Sequence, residues 1–166
     1  MSAQAMLGLG GNIGEVKAQL ADALRRLDAL DGCRIVAVSR LYRTPPWGVT
    51  DQAWFNNACA AVQTTLTPEA LLEACLSVER AMKRERIQRW GPRTVDIDLL
   101  TCGEEQRASQ TLSLPHPRMT ERAFVLLPLK DIAPDLMIAG HSVAHWASLS
   151  QTAGIEPITD SGDWWH

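Results

Sequence analysis

With 166 residues, 46% of them hydrophobic, and a net charge of −3, the chain is sized for one domain with a sizeable core and carries no global basic field to gather nucleic acid. Its apolar runs fall short of the roughly 20 residues a membrane span needs, and no basic stretch followed by an apolar run and a cleavage site opens it. The expectation is a cytoplasmic monomer, one domain over 1–166, that acts on small molecules and engages neither nucleic acid nor membrane.

Cys33, Cys59, Cys75 and Cys102 are widely spaced in apolar stretches without a C-x-x-C, so they read as reduced core thiols. Ala5 to Leu9 is a short apolar run that fits a buried strand, and Gly10-Gly11-Asn12-Ile13-Gly14 behind it reads as a turn. Gly8, Gly10 and Gly14 are spaced one residue too long for the dinucleotide fingerprint, and no G-K-[ST] of a P-loop follows. Glu15 to Leu30 carries Val16, Leu20, Ala23, Leu24, Leu27 and Leu30 on one stripe, a helix stopped by Asp31-Gly32.

Arg34 to Tyr42 alternates as a strand that can be buried on much of both faces. Arg43-Thr44-Pro45-Pro46-Trp47-Gly48 then opens a stiff loop of about a dozen residues, running on to Trp54-Phe55-Asn56-Asn57. Ring faces for stacking and amides for edge hydrogen bonds suit a flat heterocycle; a loop anchored on the core by its tryptophans is the plainer account. Asn57 to Thr64 is a further strand. Thr67-Pro68 opens a second helix, with Thr as the cap and Leu71, Leu72, Cys75, Val78 and Met82 as its stripe. Glu79 stands at the edge of that stripe, either facing a site or pairing with Lys83.

The densest chemistry lies in Arg89-Trp90-Gly91-Pro92-Arg93-Thr94-Val95-Asp96-Ile97-Asp98-Leu99-Leu100. From Arg93 the run alternates, which sends Asp96 and Asp98 to one face and Val95, Ile97 and Leu99 to the other. Two same-side carboxylates repel and need an offsetting charge, for which a hard divalent cation such as magnesium is the simplest candidate. Arg84, Arg86, Arg89 and Arg93 just upstream are of the kind that clamps phosphates. The alternative is an exposed strand face with a balanced Arg/Asp surface.

Beyond it, His116 lies between Pro115 and Pro117 in a stiff arm followed by Arg118 and Arg122, where phosphate contact is favoured over an idle surface histidine. Glu121 to Leu129 is a helix and Leu136 to Ile138 a last short strand. His141 and His145 have helical spacing but lack the glutamate of H-E-x-x-H, and the tail from Gly154 to His166 shows no chemistry. The order β, α, β, β, α, β predicts an α+β protein with a ferredoxin-like βαββαβ core, an antiparallel sheet with helices packed on it.

Leu9-Gly10-Gly11-Asn12, Tyr42 to Pro46, Phe55 to Ala58, Arg89 to Leu99, and Leu114-Pro115-His116-Pro117-Arg118-Met119 with Arg122-Ala123-Phe124 occur in order along nearly the whole chain. In these the chain resembles the 6-hydroxymethyl-7,8-dihydropterin pyrophosphokinases of folate biosynthesis. The resemblance implies transfer of the diphosphate of ATP to the pterin hydroxymethyl group, with Asp96 and Asp98 holding a pair of magnesium ions (Mg2+). It implies catalytic roles for Arg93 and for Arg84 or Arg86, and ATP contacts from Glu79, Arg86, Arg89, Trp90, Arg93, His116 and Arg122. The pterin would be read by Thr44, Pro45, Trp47, Phe55, Asn57, Trp90, Asp96 and Phe124. Trp47 and Thr111 depart from residues common in relatives, at the pterin pocket and at an ATP contact. The competing reading is a nucleotide- or RNA-binding ferredoxin-like module without turnover, which would be expected to carry basic and aromatic residues on its strands where this chain has Asp96 and Asp98.

Overall fold

The computed structural model describes residues 2–12, 14–45, 54–89 and 95–166, without the side chains of 84–89. Its frame is β1 (Ala3–Gly11), α1 (Val16–Asp28), β2 (Cys33–Val38), β3 (Tyr42–Thr44), β4 (Phe55–Thr64), α2 (Pro68–Arg89) and β5 (Asp96–Cys102). All strand pairs are antiparallel: β1 lies between β4 and β5, and the far edge of β4 is shared by β2 and β3. This is the ferredoxin-like α+β arrangement expected from the order of elements.

Alternation along the strands decides what each face does. Ala5, Leu7 and Leu9 of β1, Ala58, Ala60 and Val62 of β4, and Ile97 and Leu99 of β5 face α1 and α2. Leu20, Leu24, Leu27 and Leu71 close that core from above and are at most 1% exposed, each contributing about 1.5–3 kcal/mol by burial. The α1 stripe is as expected, and Thr67 Oγ1 caps α2 by accepting the Ala70 N–H at 3.1 Å.

The opposite face is covered by elements later in the chain. After a hairpin, β6 (Arg107–Ala108) with β7 (Ser113–Leu114), a 3-10 turn at Met119–Glu121 leads into α3 (Ala123–Ile132). A second hairpin, β8 (Met137–Ile138) with β9 (His141–Ser142), leads into α4 (Val143–Ser148). Met6, Cys59, Ala61 and Leu100 pack beneath Val125, Leu126 and Leu129 of α3 and Val143 and Ala147 of α4. Leu100 shares this side with Asp96 and Asp98 by alternation; the β1–β5 register then slips between Met6 and Leu7, which sends Cys102 to the other face beside Ala5.

Several expectations are corrected. The single strand over Arg34 to Tyr42 is two: the chain breaks after Val38, and Ser39 Oγ accepts the Cys59 N–H at 2.9 Å in place of a ladder carbonyl. β1 runs on through Gly10 and Gly11, which are paired strand positions and not a turn. The helix α2 extends past its apolar stripe to Arg89, so the backbone of Arg84, Arg86 and Arg89 belongs to its last turns. His141 and His145 do not share a helix: one ends a hairpin and the other lies in α4, their rings stacked 4.4 Å apart. The tail is structured: β10 (Glu156–Pro157) pairs with β3, and Trp164 Nε1 donates to Ser39 O at 2.8 Å.

Candidate active site

Across β4, β1 and β5 the register sets Asn57, Gly10 and Asp96 in one row, and Cys59, Gly8 and Asp98 in the next. These positions face the α3 side: Cys59 is covered by Val125, and the glycines and aspartates beside it lie at the edge of that apolar cover. Both central positions are glycine, so the patch is a floor of bare backbone with an amide on one flank and carboxylates on the other. A Cβ at Gly10 would come within 2.6 Å of Asn57 Nδ2, so the amide lies directly over that residue. Thr44 Oγ1 donates to Asn57 Oδ1 at 3.3 Å and fixes which end of the amide does so.

Over the floor is a cavity of about 800 Å3. Thr44, Phe55 and Asn57 line it from β3 and β4, and Arg122 and Phe124 from the start of α3. The guanidinium of Arg122 lies 5.8 Å from the Phe124 ring centre. A second cavity, of about 540 Å3, is lined by Glu79, Thr111, Ser113, His116 and Pro117. Asp96 and Asp98 line both.

Among the described residues the acids here are only partly offset. Partial desolvation, with the neighbouring charge of Asp98, pushes the Asp96 carboxyl above its ordinary value, and Lys83 only partly opposes this. Glu79 is raised as well, chiefly by burial; its carboxylate accepts the Ile97 N–H at 2.6 Å, which opposes the shift, while the charge of Asp96 adds to it. That hydrogen bond grips the peptide between the two aspartates. His116 is lowered by burial, against the pull of Asp98 and with the push of Arg122 and Arg118. Its Nδ1 accepts the Arg118 N–H at 3.2 Å, so the neutral ring carries its proton on Nε2 and presents a donor.

Of the residues singled out in the sequence, Thr44, Phe55, Asn57, Asp96, Asp98, Arg122 and Phe124 are brought together around the larger cavity, and Glu79 and His116 line the second with the aspartates. Arg122, expected beside ATP, lies on the larger cavity. Pro45 lies against the tail, where a Cβ on Gly154 would come within 3.0 Å of its Cγ. Trp47, Trp90 and Arg93, and the side chains of Arg84, Arg86 and Arg89, lie outside the described residues.

Sequence reasoning missed Gly8 and Gly10 as the floor, and Trp146, Leu149, Gln151 and Ile155 as a further stretch of cavity wall. The glycines had a signal, an even spacing that matches Asp96 and Asp98, but it has meaning only once the β1–β5 register is known. The wall residues had none.

The profile of the 7,8-dihydro-6-hydroxymethylpterin-pyrophosphokinase family matches residues 6–134. The chain belongs to this family. A 2-amino-4-hydroxy-6-hydroxymethyldihydropteridine pyrophosphokinase of Methylorubrum extorquens is 52% identical over 155 residues, covering 93% of this chain and 98% of the relative. One from Pseudomonas aeruginosa is 45% identical over 132 residues, covering 80% and 82%. A solved Plasmodium falciparum HPPK-DHPS with pteroate shares the fold at a TM-score of 0.70 and 15% identity, covering 90% of this chain, which spans 42% of that longer one. This pyrophosphokinase transfers the β,γ-diphosphoryl group of ATP to the hydroxymethyl group of 6-hydroxymethyl-7,8-dihydropterin in folate biosynthesis. Among the described residues no helix is long and apolar enough to cross a membrane.

Proposed function

We propose that the larger cavity takes the reduced pterin, the second takes ATP, and the diphosphoryl group passes between them at Asp96 and Asp98. The observation that carries this is that the two cavities share those carboxylates. A pterin between Phe55 and Phe124 would stack on both rings. Asn57, held by Thr44, reads its polar edge. The floor of Gly8 and Gly10 lets the heterocycle lie against backbone.

Asp96 and Asp98 fit a hard divalent cation: they offer oxygen donors on one face, and Asp96 is raised by burial and by the charge of Asp98. Two carboxylates on one face suit magnesium, which takes its other ligands from water and phosphate. Asp96 and Asp98 would hold a pair of magnesium ions, which would supply charge neutralisation at the phosphate oxygens. In the transfer the pterin hydroxyl oxygen bonds to the β-phosphorus, the bond from that phosphorus to the α-phosphate oxygen breaks, AMP leaves and the hydroxyl proton passes to solvent. His116 donates from Nε2 to a phosphate oxygen on the nucleotide side, and Glu79 steadies the aspartates through the Ile97 peptide. Arg84, Arg86, Arg89, Arg93 and Trp90 complete the phosphate and ring contacts, and Trp47 the pterin pocket. The chain works as one domain and a monomer in the cytoplasm, on small molecules, without nucleic acid or membrane.

An RNA-binding module without turnover finds no support in a sheet face that presents carboxylates. The deciding experiment gives the purified chain ATP, magnesium and reduced hydroxymethylpterin, with each omitted in turn. The expected product is AMP, formed only when all are present. ADP in its place, or turnover without metal, overturns the scheme.

A further inference from the structure

One polar cluster in the fold has no part in the scheme above. Asp131, in the last turn of α3, places a carboxylate where the helix dipole disfavours it. Its explanation lies across the gap to the sheet. Arg40 donates to it from Nε, from a terminal nitrogen and from its backbone N–H, each at 3.1 Å. The Tyr42 hydroxyl donates to the same carboxylate, 2.8 and 2.9 Å from its two oxygens, while accepting from Arg40 at 2.7 Å. Tyr42 is 3% exposed, and burial with the Asp131 charge pushes its phenol up to about 12, so it remains a donor at neutral pH.

The two ends of this clasp carry the two walls of the larger cavity. Tyr42 begins β3 and pairs with Asn57 across the β3–β4 ladder, two residues before Thr44, whose hydroxyl orients the Asn57 amide. Asp131 ends the helix that begins at Ala123 and Phe124. Within that helix Pro128 lacks the N–H that the Phe124 carbonyl would otherwise accept, so the helix's own ladder holds Phe124 less firmly. The spacing between Phe124 and the Thr44–Asn57 pair therefore depends on what ties the helix to β3.

We propose that Asp131 is a positioning residue for pterin recognition: by gripping Tyr42 and Arg40 it fixes α3 against β3 and sets the width of the slot between Phe124 and Asn57. The proposal rests on reading the larger cavity as the pterin site. It assigns no contact with substrate to Asp131, Tyr42 or Arg40, and the nucleotide cavity contains none of them.

The test is steady-state kinetics of Asp131→Ala and Tyr42→Phe with each substrate varied, beside calorimetric titration with ATP and magnesium alone. The pterin KM should rise about tenfold in Asp131→Ala and about threefold in Tyr42→Phe, since a displaced contact far from the chemistry weakens binding on this scale. Nucleotide affinity and kcat at saturating pterin should stay within about twofold. Tyr42→Phe removes only a hydroxyl, so it keeps the test open if Asp131→Ala does not fold. An unchanged pterin KM in Tyr42→Phe, or nucleotide affinity falling in step with pterin affinity, overturns the proposal and leaves the clasp a general brace. Phe124→Ala tests the underlying reading separately: if it leaves the pterin KM unchanged, the cavity assignment fails.

Discussion

The two faces of the central sheet are made by the same strands, yet one is sealed and the other is half open. Under α1 and α2 the alternate residues of β1, β4 and β5 are aliphatic and closed over along their length. On the other side α3 and α4 cover the rows around Met6, Ala61 and Leu100 and reach Cys59, while Gly8, Gly10, Asn57, Asp96 and Asp98 lie beneath a cavity. A period of two thus lets one strand such as β5 bury Ile97 and Leu99 on one face and present Asp96 and Asp98, the proposed metal holders, on the other. Because the faces are separate, damage to each should be separable.

The largest effect is expected on the open face. Asp96→Ala or Asp98→Ala should lower turnover on the order of a thousandfold, since the group that balances phosphate charge loses its holder. The melting temperature should hold or rise, because a repelling carboxylate is gone. Turnover near wild type in either variant would remove these residues from the mechanism. The converse variant, Leu24→Ala, leaves a void in the sealed face and should cost about 2–5 kcal/mol of stability in denaturant unfolding, with kcat per folded molecule kept. A matching fall in kcat would show that the faces are coupled.

A subtler probe lies on the floor itself. Gly10→Ala forces the Asn57 amide aside, because the added Cβ falls 2.6 Å from its nitrogen. The pterin KM should rise about tenfold or more while nucleotide binding persists. Equal affinity for pterin in this variant would mean that the amide is not what reads the ring.

The smallest effect is the most diagnostic of charge. Asp96 and Glu79 titrate above their ordinary 3.8 and 4.5 in the fold. Above those values the folded, metal-free chain therefore binds more protons than the unfolded one. The stability this provides is fully present below the ordinary values and is lost as pH rises through the raised ones. Relative to Asp96→Asn, the metal-free wild type should lose melting temperature from mildly acid to neutral pH, and added magnesium should close that gap. Parallel curves with and without metal would show the site already balanced.

Much of this was legible before any coordinates. The stripe of Val16, Leu20, Leu24 and Leu27, the Thr67 cap and the alternation from Val95 to Leu99 are local patterns, and local patterns fix helices, strand faces and the pairing of Asp96 with Asp98 on one side. What stayed hidden depends on contacts between distant residues. Gly10 looks like a turn until β4 and β5 flank it. Glu156 looks like tail until it pairs with Arg43 in the ladder with β3, and Asp131 looks like a surface charge until Tyr42 and Arg40 close on it. The break at Ser39 was hidden for the same reason, since only the position of Cys59 makes its hydroxyl a substitute for a carbonyl.

The bare floor has a consequence for inhibition. Resistance to a compound that occupies a pocket usually arises by enlarging or reshaping a side chain that touches the compound but not the substrate. On the proposed placement of the pterin, a flat molecule resting on the backbone of Gly10 offers little such room, because any side chain introduced there strikes Asn57 and would disturb the natural ligand as well. The outlying wall at Leu149, Gln151 and Ile155 carries no such constraint, so a compound kept over Gly10 should select resistant variants less readily than one that grows towards the tail.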